Sequence, residues 1–213
     1  MLDHIFEELQ GFFRSGVQER RVVVMPDFFL DRLVGIDWNL RLLSKNLENV
    51  VERKGGSIDG IEQTELRGGN AFNTASALAA LGFNAIPIVS TDAFGLRIMK
   101  FSVASHRVDF SHVKVLDKPS LTTAMELITE DDKANVMLRD LGSLANFGPR
   151  NLDSYDFKAI EDADYVCVFN WAGTRRFGTE LAQTVFRRAK KKGCGKTYVD
   201  TADPTPNKGK IPE

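Results

Sequence analysis

Four short apolar runs, separated by stretches of helical periodicity, restrict what this chain can fold into more than any other feature. Arg21-Val22-Val23-Val24-Met25, Ala85-Ile86-Pro87-Ile88-Val89-Ser90, Tyr165-Val166-Cys167-Val168-Phe169 and Thr197-Tyr198-Val199-Asp200 have the length and composition of strands. The third is apolar throughout, the pattern of a strand covered on both faces of a parallel sheet. Helical spacing joins Leu2, Ile5, Phe6, Leu9, Phe12 and Phe13, and recurs over residues 40–51 before Gly55-Gly56. It returns from Gly69 to Gly82, from Phe94 for a short stretch, and over residues 179–191 before Gly193. Asp153 stands where it would cap one more helix, reaching Glu161. Residues 58–66 read as an exposed strand or flap, and 113–115, 122–128 and 134–138 as further strands. The last two are expected to pair antiparallel across Asp131-Asp132. Alternation of this kind predicts an α/β sandwich with a mostly parallel sheet, whose ligands sit beyond the carboxyl ends of the strands.

Composition narrows the class. The 213 residues, 43% of them hydrophobic, suffice for one sizeable domain, and 28 basic against 29 acidic residues leave a net charge of -1. Balanced charge argues against a nucleic-acid partner. The run Arg187-Arg188-Ala189-Lys190-Lys191-Lys192 reads as the solvated end of a helix. Cys167 and Cys194 form neither a disulfide framework nor a metal-ligand spacing, which predicts a soluble, cytoplasmic protein. No apolar run has transmembrane length, so no membrane partner is expected. His4, His106 and His112 have no metal spacing, and neither a GxSxG elbow nor a GxGxxG after the first strand is present. Gly195-Lys196-Thr197 imitates the end of a phosphate-binding loop, but Lys190 stands where that loop needs its first glycine and a strand follows.

The stretch richest in chemistry is Arg67-Gly68-Gly69-Asn70-Ala71-Phe72-Asn73. Paired glycines let bare backbone approach a ligand, and the first-turn amides of the following helix could meet hydroxyls or anions. Asn70 and Asn73 fall on one helical face, with carboxamides suited to neighbouring sugar hydroxyls. A turn with Asn70 as N-cap explains the same residues, leaving Asn73 without a task, and spacing alone leaves both readings standing. Asp31, and Asp27 as its competitor, follow the first strand; by themselves they read as solvent-facing loop acids, with Arg32 a ready partner for Asp31.

Taken in order, Pro26-Asp27-Phe28-Phe29-Leu30-Asp31, the Gly68-Gly69-Asn70-Ala71-Phe72-Asn73 box, the helix ended by Gly82 and the later Asp92-Ala93-Phe94-Gly95 resemble the ribokinase-like (PfkB) carbohydrate kinase family. The resemblance covers the chain from about Arg21 onward. It implies a three-layer αβα sandwich with a small β lid, in a single substrate-side unit spanning 1–213 with lid insertions near 33–38, 56–67 and 112–139. It implies ATP-dependent phosphorylation of a hydroxymethyl group on a sugar or nucleoside. Asp31 then matches the family's substrate aspartate, Gly68, Gly69 and Asn73 its sugar-binding box, with Asn70 inside it, and Asn170 a substrate-facing polar position. ATP and Mg²⁺ are the implied cofactors of the complete protein, with a monovalent cation as a further candidate, and the lid is the implied surface for a homodimer. The family's second signature, an Asp-Thr-x-Gly-Ala-Gly-Asp run that holds the phosphoryl group and ends in the catalytic base, does not occur in the sequence. The expectation is therefore that the base lies beyond Glu213 and that this chain alone is inactive. A non-catalytic sugar-binding protein of the same fold is the alternative.

Overall fold

The computed structural model describes residues 2–14, 19–130, 132–192 and 195–210. An amphipathic helix α1 (Leu2–Arg14) precedes β1 (Arg21–Met25), whose valines favour extended backbone and make it the centre of the main sheet. β2 (Phe29–Ile36) follows at once, then α2 (Leu40–Glu52), β3 (Glu62–Gly68) and α3 (Asn70–Ala80). Next come β4 (Asn84–Pro87), β5 (Ser90–Thr91), α4 (Ala93–Ser102), β6 (Lys114–Val115), β7 (Ser120–Ile128) and β8 (Lys133–Asp140). The chain continues through α5 (Ser154–Asp162), β9 (Tyr165–Val168), α6 (Gly178–Ala189) and β10 (Lys196–Val199). Gly193, the expected stop of α6, Cys194, and Asp131 of the β7–β8 turn lie outside the described residues.

The main sheet runs β10-β9-β1-β4, parallel throughout. β1 alternates its side chains between two cores. Val23 and Met25 pack with Ile160, Leu181 and Val185 under α5 and α6, while Val22 and Val24 pack with Ala71, Ala75 and Met99 under α3 and α4. Each fully buried Val or Leu contributes roughly 1.5–3 kcal/mol, which makes β1 the keel of the domain. The four-residue spacing of Ala71, Ala75 and Ala79 gives α3 a slim face that lies close on the sheet. The result is a three-layer αβα sandwich.

A second sheet, β3-β2-β7-β8, stands beside the sandwich as the small β lid. β2 and β7 are parallel, and β3 and β8 flank them antiparallel. α2 leaves and re-enters this sheet between β2 and β3 and buries none of its residues fully. β5 and β6 form a short parallel pair at the junction of body and lid.

Two expectations need correction. β9 is not covered on both faces: Val166 and Val168 are buried against α5 and α6, but Tyr165 and Cys167 look toward a groove that α3 only partly roofs. The basic end of α6 is exposed as expected, yet it is not merely solvated, since Arg188 and Lys191 pair with Glu161, and Lys192 with Asp162. Among the described residues no helix is long and apolar enough to cross a membrane.

Candidate functional site

The turn from β3 into α3 lies at the carboxyl ends of β1 and β9, and almost every residue singled out in the sequence converges there. The β2–β3 ladder sets Phe29 opposite Gly68 and Asp31 opposite Leu66, so Asp31 and Gly68 share the body-facing side of the lid sheet. A Cβ on Gly68 would sit 1.8 Å from Asp31 Oδ2. Glycine is needed there because the carboxylate occupies the place of a side chain. Gly69 answers a different need. Its φ is 93°, and a Cβ would come within 2.7 Å of the Phe28 backbone, so the turn presses flat on the segment that follows β1.

Asp31 does not pair with Arg32, which turns to the other side of the lid and meets Glu65. One row across the lid sheet instead carries Asp31, Thr122 and Arg139, and the Arg139 guanidinium lies 5.0 Å from the Phe29 ring centroid. Burial pushes the Asp31 carboxyl above its ordinary range, against the opposing pull of the Thr122 hydroxyl and the Arg139 charge.

The first amides of α3 are not free, contrary to the sequence expectation. Asp27, 1% exposed, accepts from Asn70 N–H at 2.8 Å and Ala71 N–H at 3.0 Å, and from Asn170 Nδ2 at 3.2 Å. The N-cap position is Gly69, which has no side chain to cap with, so a carboxylate from the end of β1 takes that part. Asn70 is therefore the first helical residue and not the cap. Its Nδ2 donates to Asp200 Oδ2 at 2.9 Å, while Asp200 Oδ1 accepts from Ala202 N–H at 3.0 Å. Burial works against ionisation of Asp200, but its hydrogen bonds with Asn70, Ala202 and Asn170 outweigh that and hold its carboxyl below the ordinary range.

Asn73 faces away from Asn70's partners. Its Oδ1 accepts from Arg67 Nη1 at 3.0 Å, and Arg67 also donates to Ser76 Oγ at 2.9 Å while lying 5.3 Å from the Phe72 ring centroid. Asn170 sits just past β9 in the left-handed region (φ 50°, ψ 48°), 5% exposed, and its Oδ1 is buried without a hydrogen-bond partner. A buried acceptor without a donor costs roughly 1–3 kcal/mol.

The structure thus joins Asp31 to Gly68, and Asn70 and Asn170 to the Asp27–Asp200 pair, with Asn73 on the outer wall beside Arg67. Sequence reasoning sets Asp27 after its strand and Asp200 at the end of its own, but misses their shared grip on α3; the signal available is two acids at the ends of the strands that flank β9. Among the described residues no group of three or more His, Cys, Asp or Glu side chains is placed to hold a metal ion.

Known proteins agree with this architecture. Ribokinase from Arabidopsis thaliana, solved with ribose and ATP, superposes with a TM-score of 0.65 at 16% identity, covering 86% of this chain and 54% of its own. Fructokinase from Xylella fastidiosa, solved with bound ATP, gives 0.62 at 17% identity, covering 88% and 54%. Ribokinase from Giardia lamblia gives 0.62 at 14%, covering 87% and 52%. At such identities the likeness speaks for the fold alone, and the chain spans little more than half the length of these proteins. No curated protein sequence matches it. Residues 42–213, however, match the sequence profile of the pfkB family of carbohydrate kinases, a span reaching from inside the lid to the last residue. On that match and this fold, the chain belongs to the pfkB carbohydrate kinase family.

Proposed function

We propose that this chain forms the sugar-side part of an ATP-dependent kinase that phosphorylates a hydroxymethyl group of a sugar or nucleoside. The observation that carries this reading is the Asp31 carboxylate, half-buried under the lid and seated on the bare Gly68 backbone. A carboxylate there accepts hydrogen bonds from adjacent hydroxyls, and the missing side chain at Gly68 leaves that carboxylate room against the main chain. Asn73, its oxygen tied to Arg67, donates to a sugar oxygen; Asn170 accepts through its unpartnered Oδ1; Asn70 closes the corner through Asp200, and Gly69 holds the turn in place. The lid sheet covers the sugar and pairs two subunits, and the protein works in the cytoplasm.

ATP, Mg²⁺ and a monovalent cation belong to the same proposal for the complete protein. The residues present do not fit them: no metal-holding group occurs among the described residues, and the sequence has no glycine-rich run ending in aspartate. Binding and orientation of the acceptor are therefore the tasks assigned to this chain, and no transfer step is assigned to its side chains. The test is a thermal-shift screen of sugars and nucleosides on wild type and Asp31→Ala, since a ligand that binds the folded state raises its melting temperature. A sugar or nucleoside that stabilises wild type and not Asp31→Ala is the expected result. Equal stabilisation of both, or none by any compound, sinks the assignment.

A further inference from the structure

The corner where β1, α3 and β9 meet holds an anion of the chain's own. Helix N-termini attract phosphates and carboxylates because their first N–H groups lack intrahelical partners and the helix dipole is positive there. At α3 that place is taken by Asp27, which bonds the Asn70 and Ala71 amides and, through the Asn170 carboxamide nitrogen, the end of β9. Beside it stand the Asp200 carboxylate, which accepts from Asn70, and the Asn170 carbonyl oxygen, which is buried without a hydrogen-bond donor. Arg67, the cation beside the glycine pair, is committed to Asn73 and Ser76.

Resting on the sugar-site reading above, we infer that Asp27 is a specificity residue: it fills the anion position of α3 and so reserves this corner of the site for uncharged hydroxyl groups, turning away a phosphate or carboxylate. A hydroxyl can donate to Asp200, whose carboxylate borders the corner through Asn70. A phosphate oxygen would meet two carboxylates and find both amides occupied. Asp27 also fixes the orientation of the Asn170 amide, because the opposite rotamer would set Oδ1 against the Asp27 carboxylate. Burial pushes the Asp27 carboxyl above its ordinary range, against the opposing pull of these hydrogen bonds.

The probe is inorganic phosphate, followed through the backbone amide resonances of Asn70 and Ala71 in ¹⁵N-labelled protein. In wild type those two signals are expected to stay fixed as phosphate is added. In Asp27→Ala, with the amides opened, they are expected to move saturably as phosphate is added. Saturable movement in wild type, or a folded Asp27→Ala that answers phosphate no better than wild type, overturns the inference. Should Asp27→Ala not fold, the wild-type titration decides alone. No sugar or nucleotide enters this measurement, so failure of the kinase reading, seen as absence of any stabilising sugar, is distinguishable from failure of the Asp27 assignment.

Discussion

At the scale of single residues, the site is organised by three aspartates with different surroundings. Asp27 is sealed under α3, Asp31 is half-covered by the lid, and Asp200 is open enough for its hydrogen bonds to dominate. The direction of the Asp31 shift sets a pH dependence. Burial raises its folded value, so the carboxylate takes up a proton at a higher pH than a free aspartate. As pH falls through that raised value, Asp31 loses its ability to accept from two hydroxyls, and sugar affinity should fall with it. Affinity measured by calorimetry across the weakly acidic range should decline in wild type, while Asp31→Asn should bind more weakly at neutral pH and show little of the decline. An affinity flat with pH in wild type would separate Asp31 from the ligand.

At the scale of elements, a buried ionic knot ties the root of the lid to the body. His112 and Asp156 are 2% and 1% exposed, with Nδ1 and Oδ1 2.8 Å apart, and the imidazole stacks on Tyr155 at 4.3 Å. Lys114, on β6, reaches Asp156 at 2.5 Å and Asp153 at 2.9 Å, and Asp156 Oδ2 also accepts from the Asp153 N–H. One carboxylate thus serves as capping-box partner for α5, hydrogen-bond partner for His112 and counter-charge for Lys114. Removing it leaves buried donors unmatched, so Asp156→Ala should cost about 3–5 kcal/mol in urea denaturation. A loss near that of a surface substitution would show the knot to be dispensable. This level also shows what the sequence could reveal. α3, α5 and β1 were legible because periodicity, a capping Asp153 and a valine run are local signals. β2 was legible only in part, as a lid insertion near 33–38 that the family resemblance implies, because Phe28-Phe29-Leu30 follows β1 so closely that the start of a second strand has no local signal. The capping of α3 by Asp27 was illegible, since its partners Ala71 and Asn170 lie 44 and 143 residues along the chain. The proximity of Asp31 to Gly68 came from family likeness rather than from spacing, for the same reason.

At the scale of the whole molecule, the main sheet is covered unevenly. α5 and α6 roof one face, whereas α3 and α4 lie over β1 and β4 and leave Tyr165, Cys167, Phe169 and Tyr198 along an apolar groove. Burial there pushes the Cys167 thiol up to about 11, so it stays protonated and slow to react at neutral pH. Every residue of β10 is exposed, and among the described residues this strand pairs with β9 alone. Such an arrangement ranks the strands by how readily each opens, because amides exchange with solvent through local unfolding that is easiest where little packing must be undone. Deuterium uptake should therefore sweep inward from one margin: β10 labelled within the earliest time points, β9 later, and β1 last, close to global unfolding. Uniform protection of all four strands would mean that something other than the packing seen here stabilises that margin.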